Sequence, residues 1–456
     1  MMVDNLASDE NTVLLERIFQ VHDSPCKAVL AITGGGAEII GELLRHGSGS
    51  ATVLDAVVPY STEAMDRFLG RKPEKYCSEK TARLMAMVAY QRALELSKGS
   101  GGLADPDVIV IGIGATCKLK AANEREGRIH KIHIAIQAAC ETGVCTLELA
   151  ADRTREEEEK IAALLIFNII ARHCGVPKID LPDGIGVAEE RRKRIGKEGE
   201  EVREEVIEKY ASVSGLVGDL LKQQSRIPAS SCKTAGMARL NLNEVKAPEK
   251  IKLEEIKPEE IKLEEIKLEE TKPEKPEEIK LVFPGSFDPC HKNHVFMAIC
   301  ASKEYNAPVH FEISLTNVDK PPIDFISLSQ RLDSLRKYKD KAFMGGVCLT
   351  NAPLFLQKAD LFPNSTFIIG ADTFNRLFDA KYYDGTVDTS AILRHFKEKN
   401  VRFMVFRRKS VELSIDSESL EFCEIIPVDE YEDDGTSSRE IRNKRNETQE
   451  LTGNVK

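Results

Sequence analysis

The chain has 456 residues, 42% of them hydrophobic and 30% charged, which is too long for one ordinary core and enough for two domains with connecting material. Its formal net charge of −10 offers no global attraction to duplex nucleic acid or an anionic membrane. Neither is expected as a partner, and any phosphate site must be local. The eleven cysteines are odd in number and contain no C-x-x-C pair, which argues against a disulfide framework and suits a reducing compartment.

Residues 1–12 are polar and acidic with no apolar h-region, so no secretory signal is expected, and residues 1–20 are expected to be a disordered or poorly packed N-terminus. From there to residue 182, short apolar runs alternate with helical periods. Strands are expected at 28–32, which ends in Thr33-Gly34-Gly35-Gly36, and at 53–60, 107–113, 129–137 and 144–150. Helices are expected at 79–97 and 156–174. Strands alternating with helices imply an α/β layered domain over 21–182. The longest apolar stretch, 161–171, is far short of a bilayer span, and a cytoplasmic protein is expected.

Residues 183–278 are mostly charged. Residues 187–223 have helical character. Further on, Ile251, Ile256, Ile261 and Ile266 each open a pentad of the form I-K-[LP]-E-E. A period of five fits neither helix nor strand, and Pro258, Pro273 and Pro276 interrupt any helix, so a solvated spacer is expected rather than a docking segment. Residues 279–456 return to α/β texture, with strands expected at 280–283, 309–314, 366–370 and 401–406. Helices are expected after His291, at 328–337 and after Asp372.

The chemistry concentrates where the strand at 280–283 runs into Pro284-Gly285-Ser286-Phe287-Asp288-Pro289 and then a helix carrying His291 and His294. Gly285 lets the backbone turn closely, and a helix N-terminus offers unpaired N–H groups and a positive dipole end. Two histidines at i and i+3 share one helix face, so the segment suits a triphosphate whose oxygens accept from both imidazoles. Cys290 with the two histidines also has zinc-ligand chemistry, but no fourth ligand is nearby, and no metal is assigned to the protein.

This segment resembles the H-x-G-H motif of the nucleotidylyltransferase superfamily, with Asn293 where most members have Gly. Asn tolerates left-handed geometry, so the exchange is mild. The superfamily's second signature, I-S-S-T-x-I-R, is similar to Thr436-Ser437-Ser438-Arg439-Glu440-Ile441-Arg442, and Ile368-Ile369-Gly370-Ala371-Asp372 resembles its strand-ending G-x-D. The resemblance implies a Rossmann-like domain with His291, His294 and Arg442 as catalytic groups. It also implies nucleotide contacts from Gly285, Ser286, Phe287, Gly370, Asp372, Ser437 and Ser438. Lys320 and Arg407-Arg408-Lys409 could add positive potential or be plain surface charge.

Within the superfamily, Gly370-Ala371-Asp372-Thr373, Arg376-Leu377-Phe378-Asp379-Ala380-Lys381-Tyr382-Tyr383 and Ser314-Leu315-Thr316-Asn317-Val318-Asp319-Lys320 are similar to segments of nicotinamide/nicotinate mononucleotide adenylyltransferases. That likeness implies transfer of adenylyl from Mg-ATP to a pyridine mononucleotide, with pyrophosphate release and no protein nucleophile. Cytidylyl transfer from CTP to a phosphorylated alcohol stays open, because the motifs do not choose the base. A nucleotide-binding regulatory or scaffold protein also stays open.

The first domain resembles the CinA C-terminal family over residues 20–175. The likeness rests on Leu30-Ala31-Ile32-Thr33-Gly34-Gly35, Ser48-Gly49-Ser50-Ala51, Val58-Pro59-Tyr60-Ser61-Thr62-Glu63-Ala64-Met65, Ser78-Glu79-Lys80-Thr81-Ala82-Arg83-Leu84-Met85-Ala86 and Gly112-Ile113-Gly114-Ala115-Thr116. That family includes nicotinamide mononucleotide deamidases, which use a Ser, a Tyr and a Lys. Tyr60 remains here, but Ala31 stands at the Ser position and Met65 at the Lys position, so deamidation by that route is not expected. The resemblance leaves two roles open, nucleotide binding and a scaffold through which the chain self-associates.

The fold class expected is therefore two α/β domains, the C-terminal one a Rossmann-like nucleotidylyltransferase fold, joined by a charged helical and low-complexity linker at 183–278.

Overall fold

The computed structural model describes residues 3–97, 107–124, 127–150, 152–182, 185–187, 204–224, 237–240, 279–317, 321–378, 389–408, 411–413, 420–427, 438 and 441. These fall into two compact units. The first comprises residues to Gly215 together with Asp319–Ile326, and the second runs from Leu216.

The first unit opens with α1 (Val3–Asp23), β1 (Cys26–Thr33), α2 (Glu38–Arg45), β2 (Val53–Val57), α3 (Thr62–Leu69) and α4 (Glu79–Leu96). There follow β3 (Ile109–Lys118), β4 (His130–Gln137), β5 (Glu141–Leu149), α5 (Arg155–His173), β6 (Ile185–Val187) and β7 (Glu204–Ser212). Helix starts are set by side-chain caps: Ser61 accepts from the Ala64 N–H and Ser78 from that of Thr81, while Thr154 and Glu157 form a reciprocal box. The seven-stranded sheet has the order β2-β1-β3-β4-β5-β7-β6, with β1 parallel to β2 and β3 and an antiparallel meander from β3 to β7.

Alternation along β1 divides the core of this unit. Ala28, Leu30 and Ile32 face a cluster shared with Ile18, Leu43, Ile166 and Phe167, while Val29 and Ala31 face Met65, Met85 and Ala89. Helix α4 lies close to β3 because β3 carries Gly112 and Gly114 beneath it. A Cβ at Gly112 would stand 2.1 Å from the Tyr90 nitrogen. The buried Arg83 guanidinium pairs with Asp324 at 2.6 Å, and Phe325 N–H donates to Thr142 Oγ1 at 2.9 Å, both within this unit.

The second unit contains α6 (Gly215–Gln224) beyond its first residue, β8 (Met237–Leu240), β9 (Leu281–Pro284), α7 (Lys292–Tyr305), β10 (Val309–Ser314), α8 (Phe325–Arg336) beyond its first two residues, and β11 (Met344–Thr350). It continues with α9 (Phe355–Leu361), β12 (Thr366–Gly370), α10 (Ala371–Phe374), α11 (Thr389–Glu398), β13 (Arg402–Phe406) and β14 (Cys423–Ile426). Its sheet order is β14-β13-β12-β9-β10-β11-β8, parallel throughout except for β8 on the edge. One face buries Val282, Phe367, Ile369, Phe403 and Val405 against Ala359, Phe362, Ile392 and Phe396, and α7 packs on β9, β10 and β12. Glu312 of β10 is buried with a matched cation: Lys358 Nζ stands 2.7 Å from both carboxylate oxygens.

Two expectations from the sequence are corrected here. The expected disorder or poor packing of residues 1–20 does not hold for their described part: Val3–Asp23 is helical, and Leu14, Ile18 and Val21 (i, i+4, i+7) pack its later turns onto the core. Residues 187–223 are not simply helical: β7 extends the first sheet, and among the described residues of this span helix is confined to Gly215–Gln224. The reason is tertiary. Gly143 lies opposite Tyr210, leaving room for its ring, and Arg172 covers that ring at 3.8 Å. Likewise β8, within the expected linker, pairs with β11. The pentads at 251–270 lie outside the described residues. Among the described residues, no helix is long and apolar enough to cross a membrane.

Candidate active site

The chain leaves β9 for β10 and β11 on one side, then returns to lay β12, β13 and β14 on the other. The carboxyl ends of β9 and β12 therefore diverge at a topological switch point, the place where open parallel sheets bind ligands. The loop after β9 carries Gly285, Ser286 and Phe287, and the turn after β12 carries Gly370 and Asp372. Five residues expected to contact nucleotide thus lie at the carboxyl ends of two neighbouring parallel strands.

Helix α7 begins there with His291 as its N-cap in extended geometry. The His291 N–H donates to Nδ1 of His294 at 3.3 Å, and the two rings lie 3.8 Å apart with a 31° tilt. With Nδ1 accepting, the proton of neutral His294 sits on Nε2, which is left as a donor. Burial, then the nearby His291, then Arg408 push the His294 pKa down to about 3, so the imidazole is neutral at physiological pH. Arg408, just beyond β13, thus lies within electrostatic reach of His294. Its neighbour Arg407 is tied by its N–H to the Ile426 carbonyl at 3.1 Å. Cys290 is a thiol rather than a thiolate, burial raising its pKa to about 12. Asn293 is buried within the first turn of α7 at ordinary helical φ, so its place in the motif does not call for left-handed geometry.

The loop is held from beneath and from the side. The Phe287 ring is 1% exposed and packs on Phe283, Phe311 and His294 at centroid distances of 5.3, 5.1 and 5.1 Å. Phe287 therefore supports the site as its floor. From α8, Arg331 donates to both the carbonyl and the hydroxyl of Ser286, at 3.2 and 3.0 Å, and stands 3.8 Å from the Asp288 carboxylate. Ser334 Oγ donates to the Phe287 carbonyl at 3.2 Å and accepts the Cys290 N–H at 2.9 Å. Sequence reasoning assigned neither α8 residue a role. The available signal was polar Arg331 and Ser334, three residues apart, among the buried Leu328, Leu332 and Leu335.

The later signatures meet the same loop only in part. Ser438 Oγ donates to the Pro289 carbonyl at 3.0 Å, which joins the second signature to the first. Ser437, Arg442, Lys320 and Lys409 lie outside the described residues. Gly370 is the N-cap of α10, and Asp372 in its first turn is partly exposed, with its carboxylate 3.5 Å from Arg376.

In the first unit, Gly34 has φ +77°, and a Cβ there would stand 2.0 Å from the Cys117 carbonyl oxygen, so the Thr33–Gly36 turn needs glycine for packing. Tyr60 is exposed, while Ala31 and Met65 are buried in one apolar cluster.

Among solved structures, the chain is similar to the competence/damage-inducible protein CihA of Agrobacterium tumefaciens (18% identical, covering 35% of this chain and 94% of that one, TM-score 0.27). It is also similar to a competence or damage-inducible protein of Enterobacter asburiae (20% identical, 35% and 96% covered, TM-score 0.28). A CinA superfamily protein of Escherichia coli matches as well (16% identical, 34% and 78% covered, TM-score 0.23). No curated protein matches the sequence. Residues 282–444 match the cytidylyltransferase-like family, so the chain carries a cytidylyltransferase-like domain of Rossmann-like fold toward its C-terminus, which supports a nucleotidyltransferase activity.

Proposed function

We propose that this domain transfers an adenylyl group from Mg-ATP to nicotinamide or nicotinate mononucleotide, releasing pyrophosphate, and that the first unit does not deamidate. The observation that carries the reading is the Ser438–Pro289 hydrogen bond, because it brings two signatures far apart in sequence to one turn. The donor set fits a polyanion. His294 offers Nε2–H, Arg408 adds positive charge, and Arg331 offsets Asp288, the carboxylate within the loop. Magnesium, held through the phosphates, would neutralise triphosphate charge.

In the proposed reaction a phosphate oxygen of the acceptor attacks the α-phosphorus, the α–β bridge breaks, and pyrophosphate leaves. His294 donates from Nε2 to oxygens where charge gathers, and no protein nucleophile is needed. The family description favours cytidylyl transfer to a phosphorylated alcohol as a second reading, since neither histidine nor Ser438 selects a base. For the first unit, the support is burial: Ala31 lacks a hydroxyl, Met65 lacks an amine, and both sit at 2% exposure or less in an apolar cluster.

Purified full-length protein is given ATP or CTP with Mg²⁺ and a panel of phosphorylated acceptors, and pyrophosphate is measured. Release with ATP and nicotinamide mononucleotide, abolished in His291→Ala, is expected. Release with CTP alone moves the function to the second reading, and no release with any pair leaves a nucleotide-binding regulatory protein. Deamidation of nicotinamide mononucleotide by the full chain would overturn the reading of the first unit.

A further inference from the structure

Arg331 lies on the packed face of α8, beside the buried Leu328 and Leu335 at i−3 and i+4, and its side chain is only 14% exposed. A guanidinium so covered must find its acceptors in the protein. It finds them in the loop after β9. One terminal nitrogen, Nη1, donates to both oxygens of Ser286, at 3.2 Å to the carbonyl and 3.0 Å to the hydroxyl. The other, Nη2, stands 3.8 Å from the Asp288 carboxylate. All of these residues belong to the second unit.

The two bonds to Ser286 differ in what they do. A carbonyl bonded in this way is held in place. A hydroxyl has one proton to give and lone pairs to share, and a guanidinium only donates, so Ser286 Oγ is the acceptor in this contact. Its own proton is left for another partner, and among the described residues no acceptor takes it. Ser286 is exposed, so the hydroxyl can meet a ligand. An O–H that accepts from a cation is also the stronger donor, because hydrogen bonds in series polarise one another. The backbone around it is fixed on both sides: the Gly285 N–H is tied to the Glu312 carbonyl at 2.9 Å, and the Phe287 side chain is 1% exposed.

We propose that Arg331 is a positioning residue: by occupying Ser286 Oγ as an acceptor, it commits the hydroxyl proton to a phosphate oxygen of a bound substrate. This rests on the reading of the turn as a phosphate site for nucleotidyl transfer, and it adds a residue that acts through Ser286 rather than on the substrate. The same device recurs at His294, where the His291 N–H occupies Nδ1 and leaves Nε2 as the donor. In both cases a protein N–H takes the lone pair, and the ligand meets a hydrogen.

Ser286→Ala deletes the hydroxyl but leaves Arg331 its carbonyl and Asp288 partners, so an arginine that merely holds the loop would cost the same in either background. Full-length wild type, Ser286→Ala, Arg331→Met and the double variant are titrated by calorimetry with Mg-ATP, Mg-CTP and nicotinamide mononucleotide, each alone. Melting temperatures check the fold, and Arg331→Gln repeats the comparison should Arg331→Met not fold. Ser286→Ala should weaken one of these ligands about tenfold to about a hundredfold, the range for a bond to a charged acceptor. Arg331→Met should weaken the same ligand about fivefold with Ser286 present and less than about twofold in Ser286→Ala. Arg331→Lys, which keeps a cationic donor, should recover part of the loss. Weaker nucleotide assigns the hydroxyl to the triphosphate, and weaker mononucleotide assigns it to the acceptor phosphate. Equal losses from Arg331→Met in both backgrounds, or no loss for any ligand in Ser286→Ala, would overturn the proposal. Pyrophosphate release is measured alongside. Coupled losses without release sink the transfer reaction alone, and release with additive losses sinks the positioning role alone.

Discussion

Ser438 Oγ donates to the Pro289 carbonyl across 149 residues of chain. The bond is accepted two residues before the histidine N-cap of α7, so it fixes the approach of the C-terminal signature to the loop that precedes the helix. Removing it leaves the carbonyl without that partner, and a lost hydrogen bond of this kind costs about 1 kcal/mol. Ser438→Ala is therefore expected to lower pyrophosphate release about fivefold to tenfold with little change in melting temperature, and Ser438→Thr to restore most of it. Equal rates for wild type and Ser438→Ala would remove the bond from the site.

The pKa of His294, near 3, makes a statement about pH. A neutral donor with so low a pKa does not change charge between about pH 5 and about pH 8, so no ionisation of His294 should shape kcat/KM there. His294→Ala should cost about a hundredfold in kcat, the usual loss for one preorganised donor, while His294→Gln keeps an N–H and recovers part. A pH–rate profile of wild type settles the first point. A limb near neutrality that His294→Gln abolishes would contradict it.

His133 offers a stability test in the first unit. Its pKa is lowered from the ordinary 6.5 to about 4, chiefly by burial, with Glu79 and Glu148 pulling upward and Lys131 and Lys209 downward. Because the folded value lies below the unfolded one, the unfolded chain takes up the proton first as pH falls. Full stability is present above about 6.5, declines between about 6.5 and about 4, and the loss saturates near 3 kcal/mol, an order-of-magnitude figure. His133→Gln should therefore lose less melting temperature than wild type between about pH 7.5 and about pH 5. His22 and His294, also lowered by burial, add the same slope to both proteins, so the difference isolates His133. Parallel slopes would show that His133 does not carry the effect.

Local patterns made half of this site legible. The strand, the glycine turn and the two histidines are adjacent in sequence, and their chemistry follows from proximity along the chain. The residues that escaped notice come from elsewhere: Arg331 and Ser334 reach the loop from α8, while Arg408, visible in the sequence only as one of three adjacent basic residues, is brought near His294 at the end of β13. Strand β7 escaped because its charged residues have helical propensity, while its strand character depends on a gap at Gly143 that the Tyr210 ring fills. Helix α1 escaped because polar residues outnumber the three apolar ones that anchor it. Pairing and docking override local preference in each case.

Gly285 tests whether the floor of the site matters. Its backbone has no unusual φ, so glycine is needed there for space: a Cβ would lie 2.6 Å from Phe287 Cζ and 2.9 Å from both ring ε carbons. The Phe287 ring cannot simply swing away. It is wedged between Phe283, Phe311 and His294, on a residue whose own φ is +44°. Gly285→Ala should therefore press the ring toward His294 and tilt the imidazole, lowering kcat more than it raises KM, with a stability loss of about 1–3 kcal/mol from overpacking. Trimming the ring should relieve the clash, so Gly285→Ala/Phe287→Leu is expected to recover activity relative to Gly285→Ala alone, which a double-mutant cycle on kcat would reveal. Strict additivity in that cycle would mean that the glycine acts on the nucleotide independently of the ring below it.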